Sequence, residues 1–195
     1  MKDDRKFSTN VLVKLALMTA LSVVLLFLIR IPFPPAPFLV YDPADIPVYI
    51  TAFAFGPVPG LLVTFIVSFL QAFVMGGDSI YGFVMHFVAT GALAFILGLI
   101  YERNKTKKTA IQALIVGGIV SVAIMCVLNI FITPVFMGAP RKAVIAMIIP
   151  VIIPFNLLKV GINGLVTFVL YKRMSRFLHN EENITGKQRK KNKSI

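Results

Sequence analysis

The chain has 195 residues, of which 57% are hydrophobic and 14% charged, and its mean hydropathy is +0.85. A soluble domain has roughly 45–50% apolar and about 25% charged residues, so this composition excludes a soluble protein and indicates one integral membrane domain in a lipid bilayer. One cysteine excludes an internal disulfide, and one cysteine with two histidines is too few for a zinc or iron–sulfur site.

The first apolar run, residues 11–29, predicts a membrane helix. The run is too long for the core of a signal peptide, and no small-residue cleavage site follows it, so we expect the helix to be retained. Ala16 and Ala20 form a small-xxx-small pair within this run. Such a pair lets another helix approach closely.

A proline-rich segment follows, with six prolines in residues 30–47. Prolines at this density exclude a regular helix, so we predict a loop. The loop also contains Phe, Leu, Val and Tyr, which indicates that it packs on the protein or on a ligand. Its acidic residues are Asp42 and Asp45. Asp45 is placed to cap the helix that follows.

Five further apolar runs are separated by turn signals. The runs are residues 46–55, 60–75, 80–100, 110–137 and 143–171. The turns between them are the Gly-Pro-Val-Pro-Gly stretch 56–60 and residues 76–79, 101–108 and 138–142. The first two runs are short for a bilayer, so the helices they form need shelter from other protein or a thinned bilayer.

The net charge of +12 is concentrated in three clusters that contain 16 of the 20 Lys and Arg residues. Four lie before residue 15, four in the 101–108 loop, and eight from residue 172 onward. Positively charged segments stay in the cytoplasm, so an even number of crossings must separate the first two clusters. The sequence therefore predicts an all-α integral membrane protein with six transmembrane helices, both termini cytoplasmic, and the Pro-rich loop outside between helices 1 and 2.

This topology makes residues 1–178 one membrane domain and residues 179–195 a basic cytoplasmic tail, which we expect to be disordered. The basic clusters lie where they would meet anionic lipid headgroups. We therefore predict no nucleic-acid partner.

The last run contains polar residues that would share one face of a helix. Asn156, Lys159 and Asn163 are spaced i, i+3 and i+7. A lysine in a spanning helix costs about 2.5–3.5 kcal/mol on insertion scales, so it snorkels, pairs with a backbone carbonyl, or faces a wet pocket. In the six-helix topology Asn129 lies at a similar depth. Two amides and one lysine at one level favour a pocket open to the outside.

Several motifs give the chain a family resemblance. They are Tyr41-Asp-Pro-Ala-Asp-Ile-Pro, Ala52-Phe-Ala-Phe-Gly-Pro with Gly60, Pro154-Phe-Asn-Leu-Leu-Lys, and Tyr171-Lys-Arg-Met-Ser. Over about residues 11–178 the chain resembles the substrate-binding (S) components of energy-coupling-factor (ECF) transporters, and within them the riboflavin-specific branch. The stretch from Ile66 to Gln71 departs from the pattern because it lacks the Lys-Asn pair that many members of this branch carry.

The resemblance implies a six-helix vitamin receptor in a bacterial plasma membrane. Such a receptor captures riboflavin from outside, closes its outer loop and reorients against a transmembrane scaffold subunit that carries two ATPase subunits. By the same resemblance, Ala16 and Ala20 match the motif that docks on the scaffold, and Asn129, Asn156 and Lys159 match the flavin contacts. The chain has no Walker A motif, so ATP use belongs to a partner, and we predict neither an enzyme nor a cofactor.

The predicted substrate site also includes loop residues. Asparagine amides and a lysine can bond to the uracil-like edge of a flavin, while Phe38 and Tyr41, beside Asp42, can cover its ring. Another vitamin, such as folate, thiamine or pantothenate, is an alternative ligand. An ion-coupled carrier in which Lys159 relays charge is another alternative, although such carriers usually hold several intramembrane ionisable groups.

Overall fold

Six helices and one β-hairpin form the part of the protein described by the computed structural model, residues 8–74 and 79–171. The helices are α1 (Thr9–Leu28), α2 (Asp45–Phe55), α3 (Pro57–Val74), α4 (Ser79–Arg103), α5 (Lys107–Met137) and α6 (Arg141–Tyr171), and the strands are β1 (Ile31–Phe33) and β2 (Ala36–Tyr41). The predicted tail 179–195 and most of the predicted turn 76–79 lie outside the described residues.

Among these helices, α1, α3, α4, α5 and α6 are each long and apolar enough to cross a membrane. Helix α2 is shorter, with 11 residues, and its residues from Asp45 to Ala54 are all buried. Protein therefore surrounds α2, which confirms the predicted shelter for this short helix. Because α2 is buried on every side, lipid does not have to match its length.

The junction of α2 and α3 is tighter than the sequence suggested. We predicted a turn over residues 56–60, but only Gly56 lies outside the two helices. Gly56 has φ +94°, a conformation that glycine adopts without a steric penalty, and Pro57 occupies the first position of α3. Prolines fit the first helical turn because the amide hydrogens there have no partner in the helix.

Small residues bring α2, α3 and α4 close together. Gly98 of α4 lies so near the start of α3 that a Cβ atom added there would be 2.3 Å from the backbone nitrogen of Pro57. A Cβ atom added at Gly60 would be 2.9 Å from the Cβ of Ala52 on α2. Close backbone approach at small residues is how membrane helices gain packing contacts.

Two helices contain π-helical turns, Leu70–Val74 in α3 and Ile148–Ile152 in α6. The second includes Pro150, which has no amide hydrogen and clashes with the preceding turn of a regular α-helix. Proline therefore accounts for the turn in α6. The turn in α3 contains no proline.

The predicted outer loop contains a hairpin, which the all-α prediction did not include. Strands β1 and β2 pair antiparallel, with Ile31 opposite Tyr41. Leu39 and Ala36 of β2 are buried in a cluster with Val144 and Ile152 of α6. The expectation that this segment packs on the protein is thus confirmed. The segment predicted to be non-helical ends earlier than expected, because Pro47 falls within the first turn of α2.

The contact at Gly98 leads to a stability prediction. Gly98→Ala should lower the stability of the detergent-purified protein by about 1–3 kcal/mol, because the new methyl group meets backbone that cannot easily move. Gly161→Ala on α6 is the matched control, since a Cβ atom there meets nothing within 4 Å. Thermal unfolding should show a lower midpoint for Gly98→Ala alone. Equal midpoints for the two variants would contradict the close α3–α4 packing.

Candidate functional site

A cavity of about 130 Å³ lies between the hairpin and the helices. Strand β2 and helices α2, α3, α4, α5 and α6 all contribute side chains to its wall. Its polar lining consists of Asp42, Asp45, Tyr49, Gln71, Tyr81, His86, Thr90, Ser121, Asn129, Thr133, Asn156 and Lys159. Polar and charged side chains from five helices converge on this cavity, which makes it the candidate site.

Most of the predicted site residues meet at this cavity. Phe38, Asp42, Asn129, Asn156 and Lys159 all line it. Tyr41 is not among the lining residues, and its hydroxyl instead donates to Oδ1 of Asn163, 3.1 Å away. Burial raises the pKa of the Tyr41 phenol.

Lys159 lies against two carboxylates. Its Nζ is 2.9 Å from Oδ2 of Asp42 and 3.8 Å from Oδ2 of Asp45. The Lys159 side chain is 14% exposed and each aspartate side chain 2%, so the charges are largely shielded from solvent. The snorkelling interpretation of Lys159 is therefore wrong: the ammonium group points to buried acids on the hairpin side of the cavity.

Asp42 is held in place by its own segment and by α6. Its Oδ1 accepts a hydrogen bond from the backbone N–H of Ala44 at 3.2 Å, the local turn that aspartate favours. Its backbone carbonyl accepts from Nδ2 of Asn163 at 3.1 Å. Lys159 and Asn163 were predicted to share a face of the last helix. Both side chains bind Asp42, the residue that follows the hairpin.

Asp45 does not have the predicted capping role. It is the first residue of α2, the cap position belongs to Ala44, and no side chain caps this end. Its Oδ1 lies 3.0 Å from Nε2 of His86 and 3.5 Å from the hydroxyl of Thr90, both on α4. A carboxylate only accepts, so His86 donates from Nε2, while Nδ1 of His86 lies 2.8 Å from Oγ of Ser68.

The two predicted asparagines are anchored to their own helices. Nδ2 of Asn129 donates to the carbonyl of Met125, and its Oδ1 accepts from Thr133, both at 2.8 Å. Nδ2 of Asn156 donates to the carbonyl of Ile152 at 2.8 Å. Each amide nitrogen has two hydrogens, so one remains for another partner. These bonds fix the orientation of both amides at the cavity wall.

Sequence reasoning missed the contribution of α3 and α4 to the cavity. Gln71, His86 and Thr90 line it, and Ser68 supports it through His86. A usable signal was present, because Ser68 and Gln71 are polar residues three apart in an otherwise apolar run.

The predicted helix-docking pair lies elsewhere. Ala16 and Ala20 are exposed on α1 and line an apolar groove of about 590 Å³ between α1 and α3. The other side chains of this groove include Leu12, Val24 and Ile66. The two alanines make the groove wide enough for the backbone of another helix to come close.

Known proteins resemble the chain over nearly its whole length. Residues 10–171 match the family described as "ECF transporter, substrate-specific component". The riboflavin transporter RibU of Staphylococcus aureus strain TCH60 is 32% identical over 174 residues, covering 86% of this chain and 91% of that protein. The riboflavin transporter RibU of Streptococcus thermophilus is 29% identical over 172 residues, covering 84% and 81%.

A solved structure described as the S component of a bacterial ECF transporter has the same fold. The two superpose with a TM-score of 0.74 at 29% identity, covering 86% of this chain and 96% of the other. The likeness of sequence and the likeness of fold therefore lead to the same family.

The buried charges lead to a second stability prediction. Lys159→Met should destabilise the protein by about 3–5 kcal/mol, because it leaves the carboxylate of Asp42 buried without its cation. Adding Asp42→Asn should recover part of that loss, a positive coupling in a double-mutant cycle. Lys142→Met, at an exposed lysine of α6, serves as the control. Additive effects of Lys159→Met and Asp42→Asn on the unfolding midpoint would refute the ion pair.

Proposed function

The chain belongs to the family of substrate-specific components of ECF transporters, and we propose that its polar cavity binds riboflavin for uptake. The observation that carries this proposal is the meeting of Asn129, Asn156 and Lys159 at one cavity. A relative named as a riboflavin transporter, 32% identical to the chain, supports the choice of vitamin. Membership of this family makes the protein a membrane transport component that works with an ECF module.

The chemistry of the cavity suits a flavin. Amide groups of Asn129 and Asn156 can each give their second N–H to a carbonyl of the ring, and Lys159 offers a further donor. Phe38 of the hairpin and Phe136 of α5 also line the cavity and supply apolar area for the flat ring system. Such pockets combine mostly apolar walls with a few polar groups that fix orientation.

The charges of the cavity disfavour an anionic ligand. Lys159 already lies between the carboxylates of Asp42 and Asp45, so it does not present an uncompensated positive charge. Folate and pantothenate carry carboxylates, which these two acids would repel. Riboflavin is neutral and avoids this repulsion. The two carboxylates would therefore select against anionic competitors.

Ligand entry requires a change of shape. Pockets that enclose small molecules measure roughly 300–1,000 Å³, whereas this cavity has about 130 Å³. We propose that the hairpin moves outward to admit riboflavin and returns to cover it. The hairpin is the suitable element because it is short and joins α2 through the Asp42 segment, which Lys159 and Asn163 hold by two polar contacts.

The proposed arrangement in the membrane has six crossings with both termini in the cytoplasm of a bacterial cell. Helix α2, buried in protein, and helix α3 form the two short crossings. The loop after α4, with Arg103, Lys105, Lys107 and Lys108, then lies in the cytoplasm, as the positive-inside rule requires. The hairpin and the cavity mouth lie outside.

The groove at Ala16 and Ala20 is proposed as the docking site of the transmembrane scaffold subunit, which carries two ATPase subunits. Its walls are apolar and its floor contains two alanines, which suits contact with a helix inside the bilayer. The groove and the cavity share no lining residue. Ligand capture and assembly are therefore separable by mutation.

The first functional prediction concerns ligand binding. Purified protein in detergent should quench riboflavin fluorescence saturably, with little protein background because the chain has no tryptophan. Asn156→Ala should weaken the Kd about tenfold, the effect of losing roughly 1.4 kcal/mol, while Asn104→Ala in the exposed loop should not change it. Absence of saturable quenching by the folded wild type, or displacement of riboflavin by folate or thiamine, would refute riboflavin as the substrate.

The second functional prediction concerns assembly. Ala16→Leu with Ala20→Leu should abolish riboflavin uptake in cells that contain the ECF module, because the larger side chains fill the groove. The same double variant should keep the wild-type Kd for riboflavin in detergent. Ala146→Leu, at an exposed alanine of α6, is the control for bulk on a lipid-facing surface. Normal riboflavin uptake by the Ala16→Leu, Ala20→Leu variant would contradict the proposal that the scaffold subunit docks in this groove.

A further inference from the structure

Gln71 is a cavity residue to which neither the resemblance nor the proposed site gives a role. It lines the cavity from α3 and is 9% exposed. It lies in the π-helical turn Leu70–Val74, which contains no proline to account for it. Single π-helical turns within α-helices occur frequently at functional sites, so this turn is consistent with a functional role for Gln71.

The side-chain oxygen of Gln71, Oε1, is buried and has no hydrogen-bond partner within the described residues. Ser22 Oγ and Thr167 Oγ1 are the other buried side-chain atoms in this condition there, and neither residue lines the cavity. Buried amide oxygens are nearly always paired, because leaving one unpaired destabilises the fold. An unpaired acceptor at a cavity wall is explained if a ligand supplies the donor.

We propose that Gln71 determines substrate specificity by accepting a hydrogen bond from an N–H or O–H group of the bound ligand. The inference rests on the proposed riboflavin function. Riboflavin offers two kinds of donor, the imide N–H of the ring and the hydroxyls of the ribityl chain. The Gln71 amide can also donate from its nitrogen, so a ring imide beside a carbonyl would match both of its atoms.

Two polar side chains near Gln71 on α3 and α4 are already bonded to each other. Ser68, three residues earlier on α3, is bonded to His86, and His86 is bonded to Asp45. These three side chains already satisfy one another across α2, α3 and α4. Within the described part of α3, Gln71 is therefore the cavity-lining side chain with a buried oxygen that has no partner.

A ligand contact and a purely structural role predict opposite results for Gln71→Met. Methionine keeps the length and most of the volume of glutamine but removes the buried oxygen. If Gln71 only supported the fold, the variant would lose both stability and affinity. If Gln71 accepts a hydrogen bond from the ligand, the ligand-free variant should be as stable as wild type or more stable, and it should bind riboflavin more weakly.

The experiment compares three proteins in detergent: wild type, Gln71→Met and Thr167→Val. Thr167→Val is the matched control because it removes another unpaired buried oxygen that does not line the cavity. Thermal unfolding without ligand measures stability. Fluorescence titration measures the Kd for riboflavin, for riboflavin methylated on the imide nitrogen, and for lumiflavin, which lacks the ribityl chain.

We expect Gln71→Met to weaken riboflavin binding about tenfold, as for the loss of one buried hydrogen bond, and Thr167→Val to leave it unchanged. The Gln71→Met penalty should disappear with the analogue that lacks the donor in question. Loss of the penalty with the methylated imide assigns the contact to the ring, and loss with lumiflavin assigns it to the ribityl chain.

Two results would overturn this inference and leave the proposed function standing. The first is that the wild type binds riboflavin and Gln71→Met has the same Kd. The second is that Gln71→Met weakens the binding of all three ligands equally. Lower stability of ligand-free Gln71→Met together with weaker binding would assign Gln71 a structural role and also overturn it. Failure of the folded wild type to bind riboflavin would overturn the proposed function, and this inference with it.

Discussion

The structure depends on neutralising one lysine inside a membrane helix. An unpaired Lys159 would be costly at that depth, and it is compensated by Asp42 at 2.9 Å and Asp45 at 3.8 Å. Asp42 is the first residue after the hairpin, and Asp45 begins α2. The neutralisation of this one charge therefore holds the end of the hairpin and the start of a buried helix against α6 in the ligand-free structure. His86 extends the same polar chain to α4 and, through Ser68, to α3.

Close helix packing makes this charge cluster possible. The 11-residue α2 can begin at Asp45 in the protein interior because its whole length is enclosed by neighbours. The enclosure needs small contacts, and Gly60 against Ala52 and Gly98 against Pro57 provide them. If α2 were exposed to lipid, Asp45 would lie at a protein–lipid boundary and could not shield Lys159. Close packing at small residues near the end of α2 thus keeps Asp45, at its start, buried beside Lys159.

The sequence was informative about single helices and much less so about contacts between them. The shared face of Asn156, Lys159 and Asn163 followed from spacing, because helical periodicity is a local property. The Lys159–Asp42 pair spans 117 residues, and no local pattern encodes such a contact. Asp45 looked like a cap because that role depends only on the next few residues. The hairpin escaped prediction because its pairing requires knowing what β2 packs against.

The cavity combines amides that are already hydrogen-bonded with one amide oxygen that is not. Asn129 and Asn156 each commit one N–H to a backbone carbonyl four residues earlier, which holds their free N–H in a set direction before any ligand arrives. Such preorganisation lowers the entropy lost on binding. The buried side-chain oxygen of Gln71, in contrast, has no hydrogen-bond partner within the described residues. The first arrangement favours affinity, whereas the second favours selectivity, because a ligand without a suitable donor leaves that oxygen unpaired.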